Sequence, residues 1–186
     1  MDEPALIQRA AQGDMKAWES LMLAHQEAVF RLAYLLLGDP DEAEDVAQET
    51  FLRAWRNLGR FDASRPLSPW LLRIAVNLAR NQRRSAGRYL AALIRNLQGE
   101  PPSLTNEEKS AQRIEAQQLW QAVQRLQLPD RQIVYLRYFL NLSVAETAET
   151  LQVAEGTVKS RLNRALNRMR MVIQREFPEI IEGRGL

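Results

Sequence analysis

Apolar residues recur every three to four positions almost throughout this 186-residue chain, and no convincing period-two alternation appears anywhere. That pattern restricts the fold to helices. Gly and Pro then divide it into segments. A short helix is expected over Pro4 to Gln12, followed by a Gly13-Asp14 turn in which Asp14 caps a long helix reaching Leu36. Trp18, Leu21, Met22, His25, Val29, Leu32 and Leu36 form its apolar stripe, and His25 within that stripe reads as a core or boundary residue rather than a ligand. Gly38 stops this helix. Asp39-Pro40 starts a third, since proline suits a first helical position, with Val46, Thr50, Phe51, Ala54 and Leu58 facing inward. Gly59 ends it, RFDASRPL makes a polar loop, and Ser68-Pro69 opens a fourth helix, WLLRIAVNLARNQRRSAGR.

Between Gln98 and Asn106 the composition changes to QGEPPSLTN, whose double proline and polar residues resemble a linker. The expected architecture is therefore all-α: a domain over 1–90, a flexible linker over 91–106, and a second small helical domain over 107–186. The second domain begins with a helix from Glu107 to Leu126, and Pro129-Asp130 starts another that contains Ile133, Leu136 and Tyr138. Each half is near the roughly 60–90 residues at which cores become marginal, so mutual packing or a partner would help both. Fraying is expected from Ile180 to Leu186, where Gly183 and Gly185 leave little to bury.

The stretch Leu142–Arg170 carries the sharpest functional signal. Ser143, with Glu146 three residues on, forms a capping box for a short helix in which Val144, Ala148 and Leu151 keep apolar spacing. Val153 anchors a turn. A second helix then buries Val158, Leu162, Ala165 and Met169 and carries Lys159, Arg161, Arg164, Arg168 and Arg170 on its other faces. This is the sequence form of a helix-turn-helix, whose second helix enters the DNA major groove.

Net charge is only +2, but the charges are segregated. Six carboxylates lie between Asp39 and Glu49: Asp39, Asp41, Glu42, Glu44, Asp45 and Glu49. From Ala63 to Gly99 there is no carboxylate, yet seven arginines occur: Arg65, Arg73, Arg80, Arg83, Arg84, Arg88 and Arg95. One surface suits a basic partner and another suits phosphates. Of the aromatics around the loop, Trp55 reads as core, whereas Phe61 and Trp70 stand beside the arginine-only stretch and are candidates for stacking on bases.

The same composition narrows the other classes. Cys is absent and His25 is the single histidine, which argues against disulfides, thiolate metal sites and histidine-based triads. No run approaches the ~18 apolar residues of a membrane helix, and MDEPALIQRAAQGD is too polar and acidic for a secretory signal. No Walker loop, zinc signature or nucleophile elbow is present. The expectation is a cytoplasmic protein that is not an enzyme, with no cofactor and no metal.

Two motifs, in order, resemble the extracytoplasmic-function (group 4) sigma factors of bacterial RNA polymerase, in the sigma-70 family. DEAEDVAQETFLRAWRNLGRFD…SPWLLRIAVNLARNQRR is similar to sigma region 2, and LQLPDRQIVYLRYFLNLSVAETAETLQVAEGTVKSRLNRALNRMR is similar to region 4. The resemblance implies a core-polymerase contact at Asp45, Gln48 and Glu49. It implies that the loop Arg60–Leu67 captures a flipped base of the promoter −10 element, the unpairing energy being recovered in a pocket of Phe61 with Arg53 and Asn57, and that Ser64 in the loop also meets −10 DNA. Trp70, Arg73 and Asn77 match positions facing the non-template strand, and Arg80, Arg83 and Arg84 extend that surface toward phosphates. In region 4, Lys159, Ser160, Asn163 and Arg164 correspond to positions that meet the −35 element, with Arg161 and Arg168 setting register on phosphates. Ala154 stands where the family commonly has a capping serine, and Glu155 compensates in part through the helix dipole. The implied partners are core RNA polymerase, promoter DNA and an anti-sigma factor.

Two other readings compete. A stand-alone helix-turn-helix regulator, binding duplex DNA as a dimer, accounts for Leu142–Arg170 but leaves Phe61–Arg84 unexplained. An adaptor or phosphate-processing enzyme on a helical bundle lacks a catalytic constellation.

Overall fold

The computed structural model describes residues 2–93, 111–176 and 178, with side-chain surroundings for 2–82, 118–176 and 178. Helices α1 (Glu3–Ala11), α2 (Met15–Leu37), α3 (Pro40–Asn57) and α4 (Leu67–Leu93) make the first unit, a short 3₁₀ turn at Leu58–Arg60 following α3. The second unit holds α5 (Ala111–Gln124), α6 (Leu128–Val134) running into a π-helical turn Tyr135–Phe139, α7 (Val144–Leu151) and α8 (Glu155–Glu176). No strand occurs among the described residues.

The boundaries follow from local chemistry. Asp14 accepts the N–H groups of Lys16 at 3.0 Å and Ala17 at 3.1 Å, two of the donors that a helix start leaves unsatisfied. Its carboxylate also holds Arg9 at 2.6 Å. Asp39 caps α3 through the Glu42 N–H at 2.9 Å, with Pro40 in the first turn. Between them Gly38 adopts φ +83°, a left-handed conformation that glycine takes without strain, so α2 folds back onto α3 as a tight helical hairpin. The capping box of α7 is complete: Glu146 N–H donates to Ser143 Oγ at 3.1 Å and Ser143 N–H to Glu146 Oε2 at 2.7 Å.

The inward positions of α3 are all buried, as are Trp18, Leu21, Val29, Leu32 and Leu36 of α2. Helix α4 starts at Leu67 and continues through Leu93, past Arg88, so the first residues expected as linker are helical. The rest of that expected linker, from residue 94, lies outside the described residues, as does the C-terminal stretch 179–186. In α6 and its π turn, Ile133 and Leu136 are fully buried, whereas Tyr138 is 56% exposed. Tyr138 is two positions beyond Leu136 and so falls on the far side of the helix, and Tyr135 fills the core against Trp120 and Phe139.

The two units are not separate cores. One apolar cluster runs from Leu21, Leu32 and Leu72 of the first unit to Val134, Leu136 and Met169 of the second. Helix α7 lies along α4, and the π turn meets α2. Among the described residues three polar contacts stitch the seam: Arg31 Nη2 to the Phe139 carbonyl at 3.3 Å, Arg80 Nη2 to Gln132 Oε1 at 3.3 Å, and Arg65 Nη2 to Glu149 Oε1 at 2.5 Å. A smaller cluster of Ile133, Ala148 and Val158, joined by Val144, Leu151, Val153 and Leu162, holds the helix-turn-helix together.

Candidate nucleic-acid interface

The loop between α3 and α4 is fixed at both ends. Asp62 accepts from Ser64 through its N–H at 3.0 Å and its hydroxyl at 2.7 Å, closing a turn within the loop. Those two hydrogen bonds hold the Asp62 carboxyl below its ordinary range. At the other end, the Leu67 N–H opening α4 donates to Glu3 Oε1 at 3.0 Å, a cap supplied by α1 from 64 residues away. His25 Nε2 stands 3.6 Å from the other Glu3 oxygen, too long for a hydrogen bond but close enough for charge to matter. Burial pushes the His25 pKa down, and the Glu3 carboxylate partly opposes that.

Beside this loop lies a cleft of about 490 Å³, within the roughly 300–1,000 Å³ of small-molecule-sized sites. Phe61 and Trp70 line it as a tilted pair with centroids 4.7 Å apart. Arg53, Arg60, Arg65 and Arg73 surround them, with Asn57 and Asn77 supplying amides. Asn57 Nδ2 is committed to the Arg53 carbonyl at 2.8 Å, which leaves its oxygen as the acceptor. Aromatic faces, planar cations and neutral amides in one cleft can stack a base and hold its phosphate.

Of the residues expected here, Arg53, Asn57, Phe61, Trp70, Arg73 and Asn77 come together in the cleft. Ser64 does not line it, because its hydroxyl is turned onto Asp62. Arg80 points instead to Gln132 of α6. The side chains of Arg83 and Arg84 lie outside the described residues. Arg60 and Arg65 enter the cleft without having been assigned to the pocket as side chains, although both sit in the loop the sequence singled out.

The acidic face lies one turn back along α3. Asp45 and Gln48 are exposed, Gln48 Nε2 reaching Glu44 Oε1 at 3.3 Å. Glu49 is half-buried and bonded to Arg53 Nε at 2.6 Å, so a residue expected to meet polymerase and one expected to meet DNA are paired with each other. Their i, i+4 spacing is a signal that sequence alone carried. Next to Gln48 runs an apolar groove of about 1050 Å³ between α2 and α3, floored by Trp18, Phe51 and Trp55 and rimmed by exposed Met15 and Leu52. A second apolar groove, about 490 Å³, lies on the other unit between Trp120, Tyr138, Phe139 and Leu166. Sequence reasoning missed both. The off-stripe apolar residues Met15, Leu52 and Leu119, exposed at 63%, 51% and 42%, are the trace they leave.

On α8, Val158, Ala165 and Met169 are buried and Leu162 is half-buried, which turns Lys159, Ser160, Asn163 and Arg164 to solvent. Arg161 is half-buried. Ser160 Oγ donates to the Thr157 carbonyl at 3.1 Å, and Arg164 Nε lies 3.4 Å from the Ser160 carbonyl. Arg168 Nη1 is 2.6 Å from Oδ2 of Asp130, whose side chain is only 11% exposed, so it pins α8 to α6. The Ala154 carbonyl accepts from Thr157 at 2.9 Å and Val158 at 3.2 Å, starting α8 with alanine at the capping position.

Among the described residues no group of three or more His, Cys, Asp and Glu could hold a metal ion, and no helix is long and apolar enough to cross a membrane. What the geometry defines is a two-unit all-helical protein, with an aromatic-and-arginine cleft in one unit and a helix-turn-helix that turns a basic helix face to solvent in the other. Sequence comparison carries this further. The Sigma-70 region 2 family matches residues 21–89, spanning the cleft, and the Sigma-70 region 4 family matches 116–169, spanning the helix-turn-helix. The ECF RNA polymerase sigma factor SigW of Bacillus subtilis is 32% identical over 173 residues, covering 88% of this chain and 92% of that protein. SigL of Mycobacterium tuberculosis is 34% identical over 173 residues, covering 91% and 96%. RpoE of Bartonella quintana, solved with the anti-sigma factor NepR, matches at TM-score 0.69 with 25% identity over 87% of this chain and 99% of that one. CnrH, solved with the cytosolic domain of CnrY, shares the fold at TM-score 0.71 and 24% identity over 95% and 99%. The chain belongs to the extracytoplasmic-function sigma factors of the sigma-70 family. The region 2 match accounts for the aromatic-and-arginine segment and sets aside the stand-alone regulator.

Proposed function

We propose that this sigma factor binds core RNA polymerase through the α3 face around Asp45 and Gln48, traps an unpaired −10 base in the cleft of Phe61 and Trp70, and reads the −35 duplex with Lys159, Ser160, Asn163 and Arg164. One observation carries the reading: a single chain holds an aromatic-and-arginine cleft and an exposed basic recognition helix, in the order of the two matched regions. Arginine or lysine can read guanine O6 and N7, and asparagine favours adenine. Arg161 sets the register of the same helix on phosphate. Tethering the two readers in one chain raises the effective concentration of the second once the first has bound. The chemistry belongs to the polymerase, and the chain supplies recognition in the cytoplasm where that polymerase works.

RpoE of Bartonella quintana was captured with an anti-sigma factor. An anti-sigma partner of this chain would cover the two apolar grooves, whose size suits apolar side chains from a helix. The deciding experiment is pull-down of purified core polymerase by the full chain beside an Asp45→Arg variant. Asp45 is the residue to change because Glu49→Arg would also strip Arg53 of its partner in the cleft. Wild-type binding with at least about a tenfold loss in the variant is expected, as for a charge reversed inside a complementary interface. A wild type that fails to bind core polymerase overturns the reading.

A further inference from the structure

Helix α1 meets the loop between α3 and α4 at both of its ends. At the entrance it lies against the 3₁₀ turn Leu58–Arg60, where Leu58 is buried, as are Ile7 and Ala10 of α1. At the exit Glu3 Oε1 accepts the Leu67 N–H at 3.0 Å, and its other oxygen faces His25 of α2 at 3.6 Å. Helix α1 is itself secured at each end, by Asp2 on the Ala5 N–H at 3.4 Å and by Arg9 on Asp14 at 2.6 Å. The residue before α4 is Pro66, whose side chain offers no acceptor. The start of α4 therefore borrows its carboxylate from α1. A helix start favours an acceptor for its free N–H groups and a negative charge, and Glu3 supplies both. Leu67 is fully buried, so without Glu3 its N–H would be left as an unmet donor. Trp70 stands in the first turn of this helix and pairs with Phe61 at 4.7 Å, and Arg73 follows one turn on.

We infer that Glu3 is a positioning residue for the −10 strand: from outside the cleft it fixes the first turn of α4, and with it the angle at which Trp70 and Arg73 meet a captured base. This rests on the assignment of the cleft to the −10 strand. Glu3 does not line the cleft, so its contribution passes through the backbone of Leu67 and not through contact with nucleic acid. A short helix at the start of the chain thereby takes part in promoter choice.

The test uses holoenzyme reconstituted from the full chain and purified core polymerase, with a pool of 20-nucleotide single strands randomised at every position. Strands retained by the wild-type holoenzyme and not by core polymerase alone are sequenced. The most enriched strand, labelled with fluorescein, is then titrated by anisotropy. Glu3→Ala is expected to weaken its capture about threefold to tenfold, the range of a lost capping acceptor, and to flatten the base preference drawn from the pool. Glu3→Gln keeps an acceptor oxygen at the same reach and should stay within about twofold of wild type. Pro66→Asp places a carboxylate directly before α4, so the Glu3→Ala/Pro66→Asp double variant should recover most of the loss. Val29→Ala opens a cavity at a buried site on α2 and should lower the thermal midpoint with capture unchanged. Amide exchange in Glu3→Ala should rise at 67–71 and stay at the wild-type level in α3. Capture by Glu3→Ala equal to that of Val29→Ala overturns the inference, as does a loss that Pro66→Asp leaves unrepaired, or exchange that rises across the whole unit. Phe61→Ala in the same titration separates this idea from the cleft assignment. If Phe61→Ala loses capture and Glu3→Ala does not, the cleft stands and the positioning role falls. If Phe61→Ala loses nothing, the cleft assignment falls and takes the positioning role with it.

Discussion

The cleft of the first unit and the exposed face of α8, the two proposed nucleic-acid sites, are built in opposite ways. Five elements contribute to the cleft region: α3 gives Arg53 and Asn57, the loop gives Phe61, α4 gives Trp70 and Arg73, α7 gives Glu149, and α1 caps α4 through Glu3. Several of its side chains are held by partners before any ligand arrives, as Arg53 is by Glu49 and Asn57 by the Arg53 carbonyl. The α8 face is a row of exposed residues on one helix, with its rigidity supplied from behind by Val158, Ala165 and the Arg168–Asp130 pair. A single strand is floppy and must be ordered by its binder, so a preformed cleft limits the cost of binding. Duplex is already ordered, and a rigid helix with adjustable side-chain tips can settle into its groove.

That contrast can be broken experimentally. The largest effect is expected from Phe61→Ala, which removes the stacking floor, worth about 1–3 kcal/mol per base. Open complexes scored by permanganate reactivity should fall roughly tenfold or more, while binding to −35 duplex stays unchanged. Equal loss in both assays would show the two sites are not independent. Next comes Asp130→Asn, which strips Arg168 of its charge partner at a site where Asp130 is 11% exposed. Loss of a charged hydrogen bond costs about 1.5–3 kcal/mol, discounted toward the lower figure because Arg168 is 44% exposed. Thermal unfolding should report it, with −35 affinity reduced and capture of a pre-melted −10 strand preserved in the holoenzyme.

Arg164→Ala should cost −35 duplex binding about 1–3 kcal/mol if the side chain reads a base, and the loss will then depend on sequence. If it meets only phosphate, the loss will be uniform and the salt slope will drop by about one. The smallest effect concerns pH. His25 has its pKa lowered by burial from an ordinary value of 6.5, so the unfolded chain takes up the proton first as pH falls. Stability should be flat above neutrality, decline as pH falls through about 6.5 toward the lower folded value, and level off below it. His25→Gln should remove that part of the slope in denaturant titrations. Because His25 faces the Glu3 cap of α4, hydrogen exchange should place the loosening at the start of α4 and not in α8.

Much of this architecture is readable from neighbours in the chain. Asp14, Asp39 and the Ser143–Glu146 box act within three residues, Gly38 closes a turn where it stands, and helical spacing names the buried side of α3. The pocket beside the loop is implied by the resemblance to sigma region 2, while helical spacing alone puts Trp70, Arg73 and Asn77 on one side of α4. What stays hidden depends on distance along the chain. Glu3 with Leu67, Arg80 with Gln132, Arg65 with Glu149 and Asp130 with Arg168 are separated by 64, 52, 84 and 38 residues. No local periodicity encodes such pairs. The pairing of Arg168 with Asp130 stays hidden because a sequence displays a charge without its partner. Ser64 reads as available for the same reason, although Asp62 two residues earlier is a turn signal. The grooves escape because a stripe pattern sorts residues into core and surface and has no place for apolar residues on a rim.

The loop from Phe61 to Pro66 has an inner turn tied by Asp62 to its own neighbour Ser64, and an exit secured by Glu3 through the backbone N–H of Leu67. Neither restraint uses the side chain of Ala63 or Arg65. Pro66 fixes its own φ through its ring and so stiffens the exit without any partner. The backbone path is therefore held by Asp62, Ser64, a proline ring and a main-chain donor. The segment behaves as an exchangeable cartridge. On the proposed assignment of the cleft to the −10 strand, a change at Ala63 rewrites promoter vocabulary and leaves both the path of the loop and the α3 face proposed for polymerase untouched.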